Sequence, residues 1–166
     1  MVESGSTFTA GGGISPQNNS SMLTDVQKHE IRNQLIEFAK SLIGVTYVYG
    51  AEWVNHKSKP IELDCSELVE GVYNHIGLKM PDGSQNQFDF TIPVKEPKPA
   101  DLAFFGKSGK PSKIYHAGLV WGGGVIEARA YDPMASFDTG KVIVRPIERW
   151  IGYSNFCGFR SHPKLI

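Results

Sequence analysis

The chain is poor in cysteine, has no excess of either charge and carries no long apolar run, and each lack excludes something. Cys65 and Cys157 are the only cysteines and stand far apart, so no disulfide framework is present. A single bridge between them is arithmetically allowed, but it would cap a reactive candidate, and both are expected as free thiols. Lys+Arg and Asp+Glu both total 17, so nothing advertises nucleic acid or an anionic membrane. Lys95, Lys98, Lys107, Lys110 and Lys113 gather against only Glu96 and Asp101, which reads as a solvated loop. No stretch approaches the roughly 18 apolar residues of a membrane span. The five histidines lack metal-ligand spacing and no Cys-x-x-Cys or His-Glu-x-x-His occurs, so neither metal nor cofactor is expected. The N-terminus has no apolar core and is not a signal peptide as it stands.

What is present fits one domain of ordinary globular composition. Residues 1–22, with Gly11-Gly12-Gly13 and Asn18-Asn19-Ser20-Ser21, read as a flexible linker, leaving 23–166 as the domain. Thr24-Asp25-Val26-Gln27 matches a capping box. The helix it opens carries Ile31, Leu35, Phe38, Ala39 and Leu42 as its apolar stripe and stops at Gly44. A β-branched and aromatic run over 45–49 is a short strand or an extended loop. Pro81 to Pro99 looks mostly irregular. Strand patterns then follow at 102–105, 114–120, 125–130, 141–145 and 156–160. Helices first and strands afterwards predict an α+β fold with an antiparallel sheet.

The stretch 63–73 organises the rest. Leu68, Val69, Val72, Tyr73 and Ile76 fall at helical spacing, Gly77 stops the helix, and Asp64 is a good N-cap. Cys65 then sits in the first turn, where unpaired N–H groups and the helix dipole favour a thiolate. It is either a nucleophile or a buried structural cysteine, the commoner fate of a free thiol.

A second constellation comes from a hairpin. With Gly122-Gly123 as the turn, Val120 pairs with Val125, Gly118 with Glu127, and His116 with Arg129. His116, Gly118, Glu127 and Arg129 then share one face, His116 and Glu127 are diagonal neighbours, and Gly118 leaves the space between them open. A carboxylate can orient an imidazole there, and the imidazole can serve a thiol. The plainer reading is a surface ion pair of Glu127 with Arg129 and a structural histidine.

Several pieces in order resemble the NlpC-type cell-wall endopeptidases, papain-like cysteine peptidases. They are the glycine- and tyrosine-rich 44–50, Asp64-Cys65-Ser66, Pro99-Ala100-Asp101-Leu102-Ala103-Phe104-Phe105, His116-Ala117-Gly118-Leu119-Val120 and Ile126-Glu127-Ala128. The likeness covers roughly residues 30 to 160. It departs from the family pattern at Glu67, where glycine is usual, at Ala100, where glycine is usual, and at Glu127, where histidine is common. The Glu67 departure is expected to alter the groove near the helix start. The resemblance implies a papain-like fold and a Cys65–His116–Glu127 triad. Tyr47 would help hold the oxyanion, with Asp64 and Ser66 touching the substrate. The implied substrate is the peptidoglycan stem peptide and the implied enzyme a monomer. Its work is at the bacterial cell wall, delivered by a phage or secretion system or as part of a larger secreted protein. An acyltransferase or thioesterase on the same fold, or a non-catalytic wall-binding relative, are the competing readings.

Overall fold

The computed structural model describes residues 22–166, so the linker assigned to 1–22 lies outside the described residues apart from Met22. In chain order the elements are α1 (Asp25–Ser41), β1 (Thr46–Tyr47), β2 (Glu62–Leu63), α2 (Cys65–His75), α3 (Ser84–Phe90), β3 (Ile92–Val94) and β4 (Leu102–Gly106). There follow β5 (Ile114–Trp121), β6 (Gly124–Arg129), β7 (Lys141–Pro146), α4 (Ile147–Ile151) and β8 (Phe156–Ser161). The eight strands form one sheet in the order β2-β1-β7-β6-β5-β4-β8-β3. It is antiparallel except at one edge, where β1 and β2 run parallel. The antiparallel expectation fails there because the connection over 48–61 returns the chain in the same direction.

The capping box forms as read: Thr24 accepts from the Gln27 N–H, and Gln27 accepts from the Thr24 N–H. The buried face of α1 is rotated slightly from the expected stripe, with Arg32, Leu35, Ile36 and Ala39 inward and Ile31 and Phe38 only half-buried. Arg32 can turn inward because both of its terminal nitrogens are partnered. Its guanidinium donates to Asp101 at 2.7 Å, Pro99 O at 2.8 Å, Ser161 at 3.1 Å and Leu165 O at 2.9 Å. Asp101 also accepts from the Lys98 N–H at 2.7 Å, so the Pro99-Ala100-Asp101 segment is an anchor beneath α1. Ala100, where the resemblance expects glycine, has φ +71°, which costs about 1–2 kcal/mol for a residue with a Cβ.

Alternation along the strands divides the interior. Leu102, Phe104, Leu119, Ile126 and Ala128 face α1 and α2, whose Leu35, Ala39, Leu68, Val69, Val72 and Tyr73 complete the main core. Ala103, Phe105, Val120, Val125 and Trp150 form a smaller core on the opposite face, closed by α4. The region 81–99 is more ordered than its prolines suggested, containing α3 and β3. The helix α3 is short, polar and lacks a side-chain cap, which is why its pattern was not legible.

Gly71 decides how tightly the 51–61 segment packs on α2. A Cβ there would lie 2.0 Å from the buried Trp53 ring, so the indole rests on bare backbone. Gly71→Ala is therefore expected to destabilise by about 1–3 kcal/mol through overpacking. A thermal melt should show a drop of roughly 5–10 °C.

Candidate active site

Helix α2 begins where the sequence put it. Asp64 Oδ1 accepts from the Glu67 N–H at 2.8 Å and from Ser66 Oγ at 3.2 Å, leaving Cys65 as the first helical residue. Its thiol is half-buried and unbridged, and donates to Tyr115 O at 3.7 Å, the carbonyl just before His116. Cys157 is also a free thiol, against the Gly106 backbone and away from this site.

The hairpin register forms as expected at Trp121↔Gly124 and Val120↔Val125, but the ladder ends at Leu119↔Ile126. The expected pairs Gly118↔Glu127 and His116↔Arg129 are absent from it. The alternation nevertheless holds, and His116 Nε2 lies 2.9 Å from Glu127 Oε1. With Nε2 engaged, Nδ1 is the ring nitrogen left for the thiol. The space above Gly118 is not open as expected. A Cβ there would lie 2.5 Å from Val125 Cγ1, 2.9 Å from Ile126 O and 3.3 Å from Trp150 Cη2, so these three close it off. The imidazole packs beside the stacked pair of Phe105 and Trp150, whose rings are 4.1 Å apart, at 5.7 and 5.3 Å from their centroids.

Two residues that the sequence reading did not single out complete this arrangement. Arg145 on β7 donates to both Glu127 oxygens, from Nε at 2.5 Å and Nη2 at 2.8 Å, and Trp150 Nε1 donates to Oε2 at 3.0 Å. Glu127 is 0% exposed, so its carboxylate is a buried anion with every contact filled. Arg129, the expected rival for Glu127, faces Asp132 at 3.7 Å instead. The β6–β7 register explains its reach: Val125 pairs with Arg145, which makes Arg145 the diagonal neighbour of Glu127 on the same face.

Burial alone would lower the His116 pKa, but hydrogen bonds and charge from Cys65 and Glu127 outweigh it and raise it to about 9. Burial would likewise raise Glu127, yet the hydrogen bonds and positive charge of His116 and Arg145 bring it below the ordinary carboxylate value. Tyr47 is raised to about 12 by burial and by the neighbouring Cys65, Asp64 and Tyr49, so it stays a hydroxyl donor at neutral pH. Cys65, His116 and Tyr47 line a cavity of about 680 Å³ with Tyr49, Tyr115, Tyr153 and three arginines. That volume suits a peptide-sized ligand. Asp64 and Ser66 are next to Cys65 but are not part of that lining.

Glu67 does not reshape the groove as the sequence suggested. It is turned inward, 8% exposed, and accepts from the Trp53 N–H at 2.8 Å, pinning the 51–61 segment. It lies with Glu70 and Asp82 in a group whose oxygens approach within 4.8 Å. Burial, and then the charges of Glu67 and Asp82, raise the Glu70 pKa to about 7. A folded-state value above the ordinary 4.5 gives a contribution present in full below about pH 4.5 and lost as pH rises through about 7. Glu70→Gln should therefore raise the melting temperature by about 2–5 °C at pH 8 and change it little at pH 5.

Helices packed on a largely antiparallel sheet, with a thiol at the start of α2 turned toward the sheet, make this a papain-like fold. The chain belongs to the NlpC/P60 family, whose pattern it matches over residues 44–139 of its 166. Among similar proteins, the probable endopeptidase p60 of Listeria grayi is 30% identical over 115 residues, 64% of this chain and 21% of that protein. The peptidoglycan endopeptidase RipB of Mycobacterium tuberculosis is 30% identical over 125 residues, 69% of this chain and 47% of RipB. The solved structure of the peptidoglycan hydrolase RipB from Mycobacterium tuberculosis superposes with a TM-score of 0.63 at 25% identity, covering 89% of this chain and 72% of that one. The chain thus spans about a fifth of p60 and about half of RipB. No helix among the described residues is long and apolar enough to cross a membrane.

Proposed function

We propose that this chain hydrolyses an amide bond in the stem peptides of peptidoglycan, at the bacterial cell wall, through a covalent thioester on Cys65. The observation that carries the reading is the buried 2.9 Å His116–Glu127 pair beside a helix-start thiol. Family membership and the names of its relatives as endopeptidases and peptidoglycan hydrolases support the substrate class.

The chemistry follows from the contacts. Nδ1 of His116 holds the proton given up by Cys65, and the thiolate Sγ attacks the amide carbon, so the carbonyl π electrons move onto oxygen. The Cys65 N–H and the Tyr47 hydroxyl receive that oxyanion, donors preorganised for charge that exists only in the transition state. The intermediate collapses with cleavage of the C–N bond, and the imidazolium delivers its proton to the departing amine. A water, giving its proton to His116, then attacks the thioester carbonyl. The C–S bond breaks, the acid leaves and the thiol is restored. Glu127 keeps the ring oriented and stabilises the imidazolium without itself accepting the proton. Asp64 and Ser66 contact the substrate beside the nucleophile, Asp64 while also capping α2.

The cavity is walled by tyrosines and arginines rather than aliphatic side chains, which favours a peptide over the lipid acyl group of a transferase. The test is digestion of purified peptidoglycan by the wild type and by Cys65→Ala, read by mass spectrometry of the soluble fragments. New fragments ending at one stem-peptide bond, absent with Cys65→Ala, are expected. No fragments from the wild type on any wall chemotype would overturn the reading.

A further inference from the structure

The wall of the cavity opposite in charge to the triad's carboxylate is cationic, and the triad leaves part of it unused. Arg129, Arg145 and Arg149 all line the cavity, against a single aspartate, Asp132. Arg145 is committed to Glu127 by two hydrogen bonds. Arg149, on α4, is exposed and has no hydrogen bond or ion pair with any described residue. Arg129 approaches Asp132 only at 3.7 Å, longer than a hydrogen bond, and Asp132 already accepts from the Met134 N–H at 2.9 Å. Phe137 lies beside two of the guanidinium groups, with Arg129 and Arg145 each 5.6 Å from its ring centroid. The ring stabilises both cations.

Of these guanidinium groups lining the nucleophile's cavity, Arg149 has no partner among the described residues and Arg129 only a long contact to Asp132, so both have donors that an anion can fill. The planar guanidinium fork matches a carboxylate in a way that a carboxamide cannot reproduce. We propose that Arg129 and Arg149 are specificity-determining residues that read a free carboxylate on the substrate, so that the protein selects stem peptides with carboxylates over those with carboxamides. The proposal rests on the peptide-hydrolase reading for the identity of the substrate, but not for the binding preference itself. Asp132 opposes the preference, since it competes for Arg129 and repels an incoming anion.

Binding separates the two readings. The inactive Cys65→Ala protein is titrated calorimetrically with a synthetic stem tetrapeptide bearing free carboxylates and with its twin in which those are carboxamides. The carboxylate peptide should bind about 10- to 100-fold more tightly, as charge-assisted hydrogen bonds require. That gap should close in Cys65→Ala/Arg129→Gln/Arg149→Gln and shrink in 1 M salt. Asp132→Asn should widen it, and Arg149→Lys should keep only part of it. Equal binding of the two peptides by Cys65→Ala, or a gap that survives loss of both arginines, overturns the proposal. The wild type is assayed for hydrolysis of the same pair. Preferential binding without any cleavage would remove the hydrolase reading and leave the arginine wall standing. Cleavage of both peptides with equal binding would do the reverse.

Discussion

Cys65→Ala and His116→Ala are each expected to lower kcat by on the order of 10^5- to 10^6-fold, and the double variant by no more than either alone. Residues that act as one covalent unit lose the same transition state whichever is removed. The fold should survive both changes. Cys65 is a half-buried first-turn residue, and α2 is started by Asp64, not by the thiol. His116→Ala leaves Glu127 still bonded to Arg145 and Trp150, so no charge is orphaned. The cost to stability is the imidazole's packing against the Phe105–Trp150 pair, and a few degrees in melting temperature is the expected readout. Circular dichroism melts beside single-turnover rates check both halves. Turnover within tenfold of wild type in either variant would remove that residue from the mechanism.

The second large effect belongs to Glu127 and Arg145 together. Glu127→Gln keeps the shape but drops the charge that helps raise His116 to about 9. A rate loss of roughly 10- to 1000-fold is expected, by analogy with other carboxylates that orient an imidazole. The pH profile should change as well. Because the folded-state value of His116 lies above the ordinary 6.5, the imidazolium is present below that pH and is lost as pH rises through about 9. The alkaline limb of activity in the wild type should therefore lie near 9, and Glu127→Gln should move it to lower pH. Arg145→Met should be the more damaging to stability, by about 3–5 kcal/mol, since it strips the permanent countercharge from a carboxylate that is 0% exposed and leaves it only His116. Histidine is common at this position in the family, but Glu127→His should not rescue activity here. A neutral ring would leave Arg145 facing no anion. Urea unfolding together with kcat/KM against pH for the three variants would decide the point. Glu127→His with full activity and stability would mean that the arginine pairing is incidental.

Local rules make part of this arrangement legible in the sequence. Asp64 as N-cap put Cys65 in the first helical turn, and the glycine turn at 122–123 fixed the hairpin register that brings His116 and Glu127 to one face. Both depend on residues close in sequence. Arg145 and Trp150 were not legible because they reach Glu127 from across the 130–140 loop, whose length does not dictate the β6–β7 register. The α4 turn that carries Trp150 is five residues long with no side-chain cap, too short to show a period. The inward turn of Glu67 also depended on a distant partner, the Trp53 amide. The chain's departures from the family pattern at Glu67 and Glu127 are each matched by such a long-range partner, which a motif scan does not see.

The central claim is that Cys65 carries the acyl group during turnover. The most direct measurement uses an activated thioester of a stem peptide, chosen so that acylation outruns deacylation. The reaction is quenched in acid within the first turnover and the protein is digested for peptide mass spectrometry. The account predicts the acyl mass on the fragment containing Cys65, in amount near one per chain, faster below pH 9 than above it. The same adduct should be absent from Cys65→Ala and slow to form in His116→Ala. An acyl group on Cys157 or any other residue, or steady hydrolysis of the peptide with no label on Cys65, would contradict the account.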